Sequence, residues 1–330
     1  MTAVALRSSS AAPASTMGPI RQTYATAETF PPVARAYTQV SQVAKELGLL
    51  RRAPVFYSLV GAALVLALAG CIAGFVLLGH SWFQLLIAAA LGVVLTQVAF
   101  LAHEAAHRQI LSSGRANDRL ARILAAGVVG ISYAWWDSKH SRHHANPNRV
   151  GKDPDIEVDT VSFLTEDAAQ ARGIRRLITR RQGWLFFPLL TLEGLNLHAL
   201  GLRHLFSRQP VKGRGVELAL IGARFAIVAG ALFVFLPVGM AFAFLGGWWA
   251  TALLGGLNYQ VEHHLFPSMA RPHLSKVRVV VHEFCETHDV PYTETSLWRS
   301  YAIVIDYLNR VGLAARDPFD CPMVGQYRRA

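Results

Sequence analysis

Two long stretches of the chain contain no charged side chain, and they dominate its pattern of apolar and polar positions. No Asp, Glu, Lys or Arg occurs from Ala53 to His103 or from Phe225 to Val261. A helix needs about 20 mostly apolar residues to cross a membrane. Each stretch, the second together with the residues just before it, therefore predicts a hairpin of two spans. The four predicted spans are 55–79, 82–102, 218–236 and 239–258.

Two further segments are apolar but interrupted. The run 123–136 is too short to cross a membrane, and its glycines suit an interfacial or re-entrant helix. The stretch 183–202 contains Glu193 and His198, and we interpret it as a helix lying on the membrane surface. The sequence thus predicts an all-α integral membrane protein, with four transmembrane helices in two hairpins, interfacial helices and a cytoplasmic histidine-rich cap.

The distribution of charge predicts the orientation of the chain. The two short turns, 79–81 and 236–239, carry no Lys or Arg, so the basic residues lie in the tails and the middle segment, with Arg224 one or two turns inside the third span, from which it can reach the cytoplasmic interface. This is the positive-inside pattern, which places both termini and the middle segment in the cytoplasm. The net charge of +11 follows from this topology and from anionic headgroups rather than from binding to nucleic acid.

Composition agrees with a membrane protein, because only 16% of the residues are charged, against about 25% in soluble domains. The Ala-, Arg- and Val-rich chain predicts a bacterial cytoplasmic membrane. We expect three regions: a flexible and amphipathic cytoplasmic segment at 1–50, a membrane domain at 51–290 and a cytoplasmic tail at 291–330.

Seven of the thirteen histidines fall in three short clusters. Residues three or four apart share one helix face, so each cluster directs its imidazoles to one side. The predicted topology brings all three clusters to the cytoplasmic end of one bundle. They are box one (His103 and His107), box two (His140, His143 and His144) and box three (Gln260, His263 and His264).

The number of histidines predicts a metal site with more than one ion. Structural zinc takes four ligands and catalytic zinc takes three with water. Imidazole suits iron, copper, nickel or zinc, and seven such ligands favour two metals.

The order HxxxH, HxxHH and QxxHH, with membrane hairpins between the boxes, resembles the membrane fatty acid desaturase family. The residues 135–140 leading into box two and the run 260–267 through box three resemble its front-end, or linoleoyl-CoA-type, subgroup. The resemblance covers about 50–290. Many members of the subgroup carry a fused cytochrome b5 domain, for which the N-terminal segment is too short. We therefore expect electrons to come from a separate ferredoxin, cytochrome b5 or reductase.

The resemblance implies two iron ions, no haem, no bound nucleotide, and a membrane lipid or acyl-CoA as substrate, with no nucleic-acid partner. It implies that the seven box histidines ligate iron. Gln260 stands where other members have histidine, and it is a candidate either to ligate iron through its amide oxygen or to orient a water or a neighbouring ligand. His198 is the candidate for a further ligand outside the boxes, while Glu104 and Glu262 are candidates to support the ligands. Trp135, Trp136 and Tyr259 are candidates to line the substrate site.

Two alternatives remain open from the sequence. A related diiron hydroxylase or ketolase acting on a lipid or carotenoid would share the same boxes. His103 to His107 also match HExxH, the signature of zinc proteases in which the glutamate is the base, and the run 152–155, with its aspartates 153 and 155, could supply a third ligand. The protease alternative leaves boxes two and three unexplained.

Overall fold

The computed structural model of the chain describes residues 33–236 and 259–314, and the regular structure in these ranges is helical. The predicted fourth span, residues 1–32 and residues 315–330 lie outside them. The helices, with a π-helix at Ile123–Val129 after α4, are α1 (Val33–Glu46), α2 (Pro54–Leu78), α3 (Gln84–Ala106), α4 (Gly114–Arg122), α5 (Tyr133–Ala145), α6 (Thr165–Ala169), α7 (Gly173–Thr179), α8 (Gln182–Leu205), α9 (Arg214–Phe235), α10 (Gln260–Leu265), α11 (Arg271–Thr287) and α12 (Leu297–Ala314).

The helices α2 and α3 form the first apolar hairpin and cover the first two predicted spans. Pro54 opens α2, where its missing N–H costs nothing. At the turn, Gly79 has a φ of +48°, a conformation that glycine adopts without strain. The buried Gln84 side chain donates to the carbonyls of Phe75 at 2.7 Å and Gly79 at 2.9 Å. It thereby satisfies carbonyl groups that the end of α2 would leave unpaired in lipid.

Four helices of the described chain, α2, α3, α8 and α9, are long and apolar enough to cross a membrane. The all-α membrane architecture is thus confirmed. The helix α9 covers the third predicted span. The helix α8 occupies the segment that the sequence assigned to the membrane surface, and its 24 residues meet the same length and composition requirement.

Both ends of α8 contact segments that flank box two in the sequence. At its start, the buried Gln182 amide accepts from the backbone N–H of Ser162 at 2.9 Å and donates to its carbonyl at 2.8 Å. Near its end, a Cβ added to Gly201 would lie 3.2 Å from atoms of Ser132. The helix α8 therefore runs between the two segments that bracket α5.

Two helix pairs surround this core. The helix α1 packs against α11 through a buried cluster that includes Val40, Ala44 and Val277. The helix α12 packs along α8, and two glycines allow close backbone contacts. A Cβ added to Gly183 of α8 would lie 2.3 Å from the carbonyl oxygen of Ile305 in α12, and a Cβ added to Gly312 of α12 would lie 2.1 Å from that of Thr179 at the end of α7.

The predicted interfacial segment 123–136 contains a π-helix and the first turn of α5. The π-helix ends at Gly130, whose φ is +94°. Arg224 of α9 donates its Nε–H to the carbonyl oxygen of Val128 at 2.7 Å, so a cation from α9 holds the carboxyl end of the π-helix.

Candidate metal centre

Box one lies at the carboxyl end of α3. Ala105, between the two histidines, is completely buried, which fixes the face that His103 and His107 present. The helix ends when Arg108 adopts a φ of +59° and Gln109 donates its backbone N–H to the carbonyl of Glu104 at 3.1 Å. The last turn of a membrane helix thus carries the first two imidazoles.

Box two lies on α5, which begins at the N-cap residue Ser132. The Ser132 hydroxyl accepts from the backbone N–H of Trp135 at 3.2 Å, a common way to start a helix. Glu217 of α9, fully buried, accepts from the Ser132 hydroxyl at 2.7 Å and from the Ala134 N–H at 3.1 Å. The start of α5 is therefore attached to α9.

Hydrogen bonds also connect the ends of boxes one and three. The buried Gln109 accepts from the Tyr57 hydroxyl at 2.8 Å and donates to the carbonyl of Pro267 at 2.7 Å. The same hydroxyl accepts from the backbone N–H of Arg271 at 3.1 Å. Glu104, between the histidines of box one, accepts from the Arg271 side chain. These bonds hold α3 and the segment after α10 together.

The three boxes converge on one group of imidazoles. His140 lies at its centre, with its Nε2 atom 3.0 Å from the Nε2 atoms of three other histidines. The ring of His263 lies within 4.8–4.9 Å of three rings of the group. One ligand nitrogen from each member lies within 4.8 Å of the others. We call this set the five-histidine group: His103, His107, His140, His144 and His263.

The remaining two box histidines form an adjoining pair. The Nε2 atoms of His143 and His264 are 3.3 Å apart. The pair is continuous with the five-histidine group, since the ring centroids of His144 and His264 lie 4.5 Å apart. The structure therefore brings all seven predicted histidines into one cluster.

The arrangement of nitrogen atoms fits a bound metal. A neutral imidazole carries a single N–H. The Nε2 atom of His140 can therefore form a hydrogen bond with only one of its three Nε2 neighbours. At the other two contacts the nitrogen lone pairs face each other without a hydrogen between them. The buried Nε2 of His263 and Nδ1 of His264 have no hydrogen-bond partner among the described residues. Cations between these nitrogens would satisfy lone pairs that the protein itself does not.

The electrostatics of the cluster favour neutral imidazoles, which is the form that binds metal. Burial, with neighbouring imidazoles second, lowers the pKa of His144 and of His263 to about 4. The same causes lower the pKa of His140 and of His264 below the ordinary range. These four histidines are thus uncharged nitrogen ligands at neutral pH.

The other predicted site residues are placed as follows. Trp136 stacks on His140, with ring centroids 4.4 Å apart, and contacts His103 edge-on at 5.3 Å. Trp135 and Tyr259 are half-buried, and Gln260 is exposed on α10. The buried Glu262 accepts from the Tyr292 hydroxyl at 2.6 Å, which ties α10 to the segment before α12.

His198 lies on α8 and outside the five-histidine group. Its Nδ1–H donates to the carbonyl of Gly194 at 2.6 Å, and its ring packs on Phe225 of α9. A Cβ added to Gly130 would meet the His198 Nε2 at 3.0 Å and an Arg224 nitrogen at 2.9 Å. Its ligation of metal remains a prediction.

The sequence did not predict the contact of Arg271 with Glu104 or the contact of Asp153 with His143. Asp153, considered above only as a ligand for a protease metal, accepts from the Nδ1–H of His143 at 2.9 Å. Burial would raise the pKa of Asp153, but the hydrogen bonds from Asp155, His143 and Asn148 outweigh it and hold the pKa below its ordinary value. The feature of the sequence that could have indicated this contact is a carboxylate, Asp153, ten residues after His143 on a loop long enough to fold back.

Comparison with known proteins identifies the family. The family model described as fatty acid desaturase matches residues 80–247 and 240–296. The chain belongs to the fatty acid desaturase family. It is therefore an oxidoreductase.

Curated relatives agree with this family. The chain is 24% identical to a Delta(8)-fatty-acid desaturase of Helianthus annuus, over 86% of the chain and 75% of the relative. It is 26% identical to Delta(8)-fatty-acid desaturase 2 of Arabidopsis thaliana, over 72% and 65%, and 26% identical to fatty acid desaturase 3 of Homo sapiens, over 84% and 72%. These relatives are eukaryotic and do not support the predicted bacterial origin. No solved structure matches the chain.

Proposed function

We propose that the chain is a diiron, O2-dependent acyl desaturase that inserts a cis double bond into a long-chain acyl-CoA or acyl-lipid. The observation that carries the proposal is the convergence of seven imidazoles from three separate boxes into one cluster, in which His263 is buried and the other six are partly buried. The five-histidine group has more nitrogen ligands than one zinc requires, and the His143–His264 pair adjoins it. This supports two iron ions held by the seven box histidines.

Bound iron would supply the oxidising power that removes hydrogen from an unactivated methylene, which acidic and basic side chains cannot do. The protein holds the ligands and shapes their surroundings. Trp136 covers one face of His140 and keeps water from it. The hydrogen bonds of Glu217 attach box two on α5 to α9, and the hydrogen bond from Gln109 to Pro267 holds box three against box one. Trp135, Trp136 and Tyr259 are the proposed lining of the acyl site.

We place the metal centre and both termini on the cytoplasmic face, with electrons arriving from a separate ferredoxin, cytochrome b5 or reductase. The positive-inside pattern supports this orientation. Both ends of α8 contact segments that flank box two, which supports a position along the membrane surface. With α8 on the surface, box three returns to the same face as box one.

The contacts of Glu104 argue against the zinc-protease alternative. A protease base must be free to take a proton from metal-bound water. One oxygen of the buried Glu104 carboxylate, Oε1, instead accepts a hydrogen bond from the Arg271 guanidinium, a cation that makes the carboxylate a weaker base. Boxes two and three also supply five histidines to the same cluster, which the HExxH mechanism does not use.

Two measurements test the proposal. Elemental analysis of the purified protein should give about two irons per chain, whereas one zinc without iron would overturn the proposed metal centre. Cells expressing the chain with a reductant partner should gain new double bonds in their acyl chains by mass spectrometry. Hydroxylated or keto products would instead establish the related hydroxylase or ketolase. The variant His144→Ala should still insert and lose activity, with the exposed His80→Ala as the matched control.

A further inference from the structure

The loop after box two folds back onto one metal-ligand candidate. In this loop Asn148 has a φ of +58° and Gly151 a φ of +72°, left-handed conformations that asparagine and glycine tolerate best. The backbone N–H of Asp153 donates to the carbonyl of Arg149 at 2.9 Å. These turns bring the Asp153 side chain under α5, where it is completely buried.

The buried carboxylate is held from both sides. One oxygen accepts the N–H of Asp155 at 2.9 Å, and the other accepts the N–H of Asn148 at 2.6 Å. Both oxygens also face the Nδ1 atom of His143, at 2.9 and 3.0 Å. Asp153 therefore has a fixed position, and its one side-chain hydrogen-bond partner among the described residues is a box histidine.

This contact determines which nitrogen of His143 can bind a metal. A carboxylate accepts hydrogen bonds and donates none when ionised. It therefore keeps the single N–H of the neutral imidazole on Nδ1 and leaves the lone pair on Nε2. The Nε2 atom is the one that faces His264, at 3.3 Å. The histidine is thus oriented as a ligand.

The arrangement distinguishes His143 from the other six box histidines. Within residues 33–236 and 259–314, no other box histidine has a carboxylate within ion-pair distance. The nearby Asp155 also approaches Nδ1, at 3.2 Å, but it is partly exposed and pairs with Lys139 at 2.7 Å. The carboxylate support is therefore confined to one side of the cluster.

We propose that Asp153 is a positioning residue that fixes the tautomer and orientation of His143 and so sets the affinity of one of two metal positions. The inference rests on the proposed metal centre. The alternative is that His143, Asp153 and Asp155, whose ligand atoms lie within 4.8 Å of one another, bind a cation themselves. Both Asp153 oxygens already accept backbone N–H groups, which argues against direct ligation.

Cobalt titration of the purified, metal-free full chain tests the role without depending on the reaction. We expect two cobalt ions in the wild type, and in Asp153→Asn a loss of roughly 10–100-fold in affinity at one position only. The exposed Asp159→Asn should match the wild type, because it makes the same charge change away from His143. If Asp153→Asn binds cobalt at both positions with the affinity of the wild type, the proposal is overturned. It is also overturned if the wild type binds a third cobalt ion that Asp153→Asn does not bind.

A double-mutant cycle separates positioning from a purely structural role of the loop. In a His143→Asn background, Asp153→Asn should cause no further loss of cobalt affinity, whereas a loop defect would add its own loss and overturn the proposal. The wild type gives a test that needs no variant at 153: nitrogen-15 spectra of labelled histidines should show His143 protonated at Nδ1, and protonation at Nε2 would contradict it. If these results hold while no acyl product forms, the proposed reaction fails and the positioning role stands.

Discussion

Replacing Glu217 with glutamine should destabilise the protein through the start of α5. The Glu217 carboxylate is completely buried and accepts from Arg122 Nε at 3.0 Å, from the Ser132 hydroxyl at 2.7 Å and from the Ala134 N–H at 3.1 Å. Removing one partner of a buried ion pair costs about 3–5 kcal/mol. The Arg122 side chain keeps 18% exposure and so retains some hydration, which places the expected loss near the lower end, about 3 kcal/mol.

The free energy of unfolding can be measured in mixed detergent micelles by titrating with SDS and following the loss of helical circular dichroism. Metal content should fall as well, because α5 carries the three histidines of box two. The control is Glu286→Gln, an exposed carboxylate that faces His282 one helical turn away at 3.6 Å; its effect should stay within about 0.5 kcal/mol. A Glu217→Gln protein as stable as this control would refute the reasoning.

Two further substitutions test contacts that shape the fold. Tyr57→Phe removes a hydroxyl that bonds Gln109 and Arg271, and leaving these groups unpaired should cost about 1–3 kcal/mol; unchanged stability in the same titration would rule out this bridge between boxes one and three. Gly312→Ala places a methyl group 2.1 Å from a backbone oxygen and should cost about 1–3 kcal/mol. Gly215→Ala, where an added Cβ meets no atom of the described residues within 4 Å, should be neutral or stabilising. Equal effects of the two alanines would contradict the close packing of α12.

The comparison of prediction and structure is clearest at the membrane helices. Charge-free stretches placed the hairpin of α2 and α3 and the helix α9, because lipid excludes charge and unpaired backbone groups regardless of the neighbouring helices. The segment of α8 was harder to interpret. Its length and apolarity are sufficient for a helix that crosses the membrane. The contacts of Gln182 and Gly201, on which we base the proposed surface position, are made with residues that are distant in sequence.

The sequence alone determined the membrane class, the helical fold and which seven histidines come together, because spacing along a helix fixes which side chains share a face. It could not determine how these histidines are distributed between separate groups of neighbouring rings. Only the tertiary structure separates the five-histidine group from the His143–His264 pair and gives Asp153 and Arg271 their partners. These contacts depend on how a loop folds back and on which helix ends meet, and local periodicity carries no information about either.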